Sequence, residues 1–103
     1  WGYTDVISDC GGIYTEGRVV VDGNLITAGG VTSGVDFSLT VISEVFGEDT
    51  ARLIQLAMQY NPQPPFESGH PSVATSETLA QANTLYAERA QRMRETLQSV
   101  KRG

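Results

Sequence analysis

Cysteine is nearly absent: Cys10 is the only one in 103 residues. That excludes an internal disulfide framework and reads as an intracellular chain, with the cytoplasm as the expected location. No apolar run approaches the roughly 20 residues needed to span a bilayer. No secretory leader pattern is visible. The sequence opens on Trp1 rather than methionine, which suggests a truncated, processed or partly cloned gene product. Histidine is as scarce as cysteine, with His70 alone, so a Cys-His or Ser-His dyad could draw only on that residue. No cluster of ligand-type side chains suggests a metal, and no cofactor is implied.

Basic charge is also in short supply. Seven Lys and Arg face twelve Asp and Glu, for a net charge of −5 and a pI near 4.6. Nucleic acid and anionic membranes call for basic patches, so neither is an expected partner. The whole deficit lies in residues 1–75, where Arg18 and Arg52 are the only bases. Residues 76–103 carry Arg89, Arg92, Arg94, Lys101 and Arg102 against three glutamates. This basic tail reads as the solvated face and C-terminal end of a helix. Hydrophobic residues make up 40 % of the chain, so the composition is that of a folded domain with a thin margin for a core.

What is present is concentrated between Arg18 and Ile42. Arg18–Val21 and Leu25–Thr27 are rich in β-branched and apolar residues and flank Asp22-Gly23-Asn24. Glycine and asparagine tolerate positive φ, so a β-hairpin over 18–27 is expected. A glycine corner follows at 29–34, where backbone amides could face a ligand. Beyond it the pattern fits two structures. Val35, Phe37, Leu39 and Val41 alternate as in a strand, yet Val35, Leu39, Ile42 and Phe46 form a helical stripe. Thr32 or Ser33 could cap a helix over about 33–46, and Gly47 could stop it.

Glu48–Tyr60 reads as a helix, with Glu48 and Asp49 in the first turn and one face of Thr50, Leu53, Ile54, Ala57 and Met58. Asn61-Pro62 is its expected end. Residues 61–75 hold all four prolines. Phe66 in their midst suggests an anchored covering loop. Ser76 is the expected cap of a long helix over about 76–100, with a stripe of Leu79, Ala82, Tyr86, Ala90, Met93, Leu97 and Val100. A short, ill-defined element is expected near Asp5–Ser8.

The string RVVVDGNLITAGGVTSGVDFSL resembles the C-terminal half of the ThiJ/PfpI superfamily, related to class I glutamine amidotransferases. Ile54–Pro71, with its YNPQPPF loop, Trp1 and the arginine-bearing final helix narrow the resemblance to isonitrile hydratases. The resemblance implies an α/β fold: the C-terminal portion of a flavodoxin-like three-layer sandwich, with a β-hairpin followed by three helices. It implies an isocyanide as small-molecule substrate and an N-substituted formamide as product. The family's nucleophilic cysteine, with its assisting aspartate and threonine, lies upstream of the matched part. This chain then carries no catalytic residue of its own. Its expected contribution is a substrate-pocket wall at Gly30, Val31, Thr32, Ser33, Gly34 and Val35. A homodimer or a complementary fragment is expected to cover its apolar faces.

A second reading makes the same scaffold a non-catalytic module that binds a small molecule or mediates assembly. No helix-turn-helix pattern after residue 76 supports a regulator. Cys10, in VISDCGG, imitates the approach to a nucleophile elbow, but no helix pattern follows it. It is expected to be buried and inert. His70 reads as loop decoration. Asp36 could orient a ligand or a neighbouring amide, or simply favour the helix dipole. The glycines do not fit a dinucleotide-binding turn.

Overall fold

The computed structural model describes all 103 residues. Two compact units emerge, 15–63 and the pairing of 1–14 with 64–103.

In unit 15–63 the hairpin forms first. β1 (Val19–Asp22) pairs antiparallel with β2 (Leu25–Ala28), in the register Val19 to Ala28 and Asp22 to Leu25. Gly23 takes φ +59 at the first turn position, while Asn24 keeps a negative φ. A two-residue turn with only its first φ positive matches the twist of the strands it joins. β1 and β2 make the only sheet.

The ambiguous segment is a helix, α1 (Ser33–Phe46). The two-residue alternation loses because this segment has no sheet partner, and the Val35, Leu39 and Ile42 stripe is half-buried against the hairpin and the next helix. Gly47, at φ +94, ends α1 and opens α2 (Glu48–Ala57). The expected apolar face of α2 needs correction. Ala51 is buried and Ile54 half-buried, whereas Leu53, Leu56 and Met58 stand exposed.

α2 stops three residues before Tyr60, for a reason upstream of Pro62. Tyr60 N–H donates to Gln55 O and Gln59 N–H to Leu56 O, the paired bonds of a Schellman turn. Such a turn needs a left-handed residue, and Gln59 supplies it at φ +52. A non-glycine residue there costs about 1–2 kcal/mol. Gln59→Gly removes that strain while adding freedom to the unfolded chain. A net gain of about 0.5–1 kcal/mol is expected in chemical denaturation, with an unchanged denaturant slope.

In the other unit, a short helix, α3 (Thr4–Asp9), lies against the long α4 (Ser76–Arg102). Trp1 and Tyr3 both meet the Tyr86 ring edge-on, at centroid distances of 4.9 and 5.3 Å. Gly2 permits this, since a Cβ there would lie 2.6 Å from Tyr86 Cγ. Arg94 bridges Asp5 and Asp9, and Lys101 donates to the Asp9 carbonyl. The N-cap of α4 is Thr75, one residue before the expected Ser76, and its hydroxyl accepts from Thr78 N–H.

Little of either unit is buried. Val6, Ala51 and Ala90 are the buried apolar residues, and Ser33 the buried polar one. Phe66 is 77 % exposed, so the proline loop is not anchored by it within this chain. The accessible surface is 8355 Å² for 11.1 kDa. No helix is long and apolar enough to cross a membrane.

Candidate functional site

The corner between β2 and α1 is built by its backbone. Gly29 N–H donates to Arg18 O and extends the hairpin ladder by one bond. Gly30 then turns the chain at φ +73, a conformation open chiefly to glycine. Ser33 Oγ donates to Gly30 O at 2.9 Å, and Gly34 N–H donates to Val31 O. Two internal bonds thus close the corner just as α1 begins.

These bonds decide where the six expected wall residues stand. Gly30 and Thr32 are exposed, and Val31 is 97 % exposed. Gly34 and Val35 are half-buried in the first turn of α1. Ser33 is fully buried, so its hydroxyl braces the corner and does not face outward. Thr32 is the N-cap position of α1, but neither it nor Ser33 makes a side-chain cap.

Asp36 does more than favour a helix dipole. Its Oδ2 accepts from Arg18 Nη2 at 2.6 Å, from Arg18 Nε at 3.1 Å and from Tyr60 Oη at 3.1 Å. Three elements therefore meet on one carboxylate oxygen: the entry to β1, the first turn of α1 and the exit of α2. The Arg18 guanidinium holds the Asp36 carboxyl below its ordinary value, partial burial opposes this, and the Tyr60 hydroxyl adds to the lowering. Arg18 is held above its own ordinary value by the same bond. Arg18 is 59 % exposed and Asp36 31 %, so the pair is worth about 0.5–1 kcal/mol at most. A depressed carboxyl contributes fully above its unfolded pKa and loses that contribution as pH falls through the folded value. Stability of residues 15–63 is expected to decline below about pH 4. Asp36→Asn should flatten that part of the profile, as read by acid titration of local amide shifts.

Sequence reasoning missed the Arg18–Asp36 and Tyr60–Asp36 bonds. They span 18 and 24 residues, and no local pattern announces them. Cys10 is exposed, which corrects the expectation of burial. It caps the end of α3, and Gly11 at φ +83 turns the chain outward there. His70 lies in the proline loop, with its Nδ1 2.7 Å from Ser72 Oγ and 3.2 Å from Ser72 N. No group of three or more His, Cys, Asp or Glu side chains is placed to hold a metal ion.

A curated isonitrile hydratase from Pseudomonas putida is 49 % identical over 82 residues, 80 % of this chain. A crystal structure of a ThiJ/PfpI family protein from Pseudomonas syringae superposes with a TM-score of 0.87 over 90 % of the chain, at 36 % identity. The chain belongs to the ThiJ/PfpI superfamily. It corresponds to the C-terminal portion of that family, and its hairpin followed by helices is the family's α/β architecture there. It spans 36 % of the length of the hydratase and 38 % of the crystallised ThiJ/PfpI chain. No family model matches it.

Proposed function

We propose that this chain forms part of an isonitrile hydratase-like lyase, in which it supplies one wall of the substrate pocket. The reaction adds the elements of water to an isocyanide, R–N≡C, and gives the formamide R–NH–CHO. An upstream portion provides the cysteine nucleophile, and the corner at Gly30–Val35 presents backbone groups beside it. The 49 % identity to the Pseudomonas putida hydratase carries the reading.

Gly34 adds physical support. It is the second residue of α1 and lies in its first turn. Its φ is not positive, and a Cβ built on it meets nothing within 4 Å. Nothing inside the chain calls for glycine at this position. Glycine there leaves the backbone open to close approach by an atom from outside the chain. A reacting thiol or its substrate fits that opening, because a thiolate gains from the exposed N–H groups of a helix start.

The surface points the same way. The chain leaves the large apolar side chains Phe46, Leu53 and Leu56 exposed, as expected of a face that a partner surface covers. The upstream portion of the same domain is its occupant in this reading.

The test joins this chain to an upstream ThiJ/PfpI portion that carries an elbow cysteine. Aliphatic isocyanide is expected to disappear with stoichiometric appearance of the formamide, followed by infrared and proton NMR. Tight isocyanide binding without formamide would instead favour a non-catalytic binding module.

A further inference from the structure

Arg18 grips the glycine corner at both ends. Its carbonyl receives Gly29 N–H where the corner starts, and its guanidinium reaches Asp36 just after the corner ends. Tyr60 completes the grip from a third direction, through its 3.1 Å bond to the same Asp36 oxygen. The delivery of Tyr60 is itself built. The Schellman turn aims it, Gln59 accepts a left-handed φ to make that turn, and Gln55 Nε2 donates to Tyr60 O at 3.2 Å.

We propose that Asp36 is a positioning residue: with Arg18 and Tyr60 it fixes the direction of the corner's backbone N–H groups toward the reacting centre. The inference deepens the lyase reading and rests on it. Asp36 touches no reacting atom in this account. It acts through the corner.

The magnitudes favour geometry over stability as the purpose of the cluster. A part-exposed ion pair contributes little to folding. A displacement of about 1 Å in a reacting group can cost on the order of 10²-fold in rate. Asp36 lies in the first turn of α1, three residues after Ser33, so a tilt of that turn is transmitted directly to the amides of Ser33 and Val35, while Gly34 N–H is held by Val31 O. The corner's own two bonds close its interior but tie it to nothing else. Packing of Val35, Leu39 and Ile42 seats α1 against the hairpin and α2, and Arg18 and Tyr60 add a polar grip on its first turn.

The test uses this chain joined to its upstream portion. Asp36→Ala is expected to lower kcat at least tenfold with KM within twofold. Asp36→Asn keeps an acceptor oxygen for Arg18 and Tyr60 and should recover most of that loss. Tyr60→Phe should lower kcat severalfold, again without a change in KM. In the same proteins, amide hydrogen exchange at Gly34 should accelerate at least tenfold in Asp36→Ala, while the β1–β2 ladder, with its Gly29 rung, stays within twofold. A raised KM at unchanged kcat would make Asp36 a substrate contact and overturn the inference. So would exchange that rises uniformly over residues 15–63, or that does not rise at the corner. If the unsubstituted assembly hydrates no isocyanide, the lyase reading fails by itself, and the exchange measurement still decides whether Asp36 holds the corner.

Discussion

The 103-residue chain on its own will hydrate isocyanide no faster than buffer does, and Cys10→Ser will leave that result unchanged. An elbow thiol needs a strand leading in and a helix leading out, so that helix N–H groups lower its pKa. Cys10 has the reverse arrangement: α3 leads in, and residues 12–16 lead out without regular structure. The thiol is exposed, and its backbone N–H is spent on Val6 O and Ile7 O at the end of that helix. Removing the nucleophile from an enzyme of this kind costs on the order of 10⁶-fold in kcat, and the corner's amides alone return only a small part. A sensitive assay for formamide, run on the chain with and without the substitution, checks this. Turnover that vanished in Cys10→Ser would make Cys10 the nucleophile and remove the need for any upstream portion.

How far the sequence could carry this depends on the range of the forces involved. The hairpin was legible because Gly23 must take a positive φ and because its flanks favour strands, and both are local. The glycine corner was legible for the same reason at Gly30. The segment 33–46 could not be resolved from pattern alone. Its alternation and its stripe use the same residues, and only the absence of a neighbouring strand selects the helix. The end of α2 was misplaced because Pro62 is a visible stop, while a Schellman turn through Gln59 leaves no residue-type signature. The Arg18–Asp36–Tyr60 meeting was invisible, since each partner alone looks like a routine surface residue. The apolar face of α2 was misjudged for a different reason. Periodicity marks which residues want cover, and it does not reveal whether this chain or another provides it.

That last distinction produces the second large effect. Leu56 is 78 % and Phe46 70 % exposed, so neither contributes much burial to the chain as it stands. Leu56→Lys keeps a good helix former at its position, and Phe46→Lys lies in the last turn of α1, where a cation suits the dipole. In the isolated chain each substitution should change unfolding free energy by no more than about 0.5 kcal/mol. In the assembly with an upstream portion, the same lysines would have to enter an apolar contact and lose their hydration. Each is then expected to weaken association at least 100-fold, about 2.8 kcal/mol, as measured by titration of the two pieces against each other. The gap between a near-neutral effect on the chain and a large effect on the assembly is the diagnostic quantity. Ordinary surface residues would show the small effect in both settings, and residues of a self-contained core would show the large effect in both. A chain that instead gains mass with concentration, with the lysines abolishing that gain and the upstream portion adding nothing, would assign these faces to a second copy of the same polypeptide. Phe46 and Leu56 have no cover within the chain, and the partner whose binding the lysines abolish is what covers them.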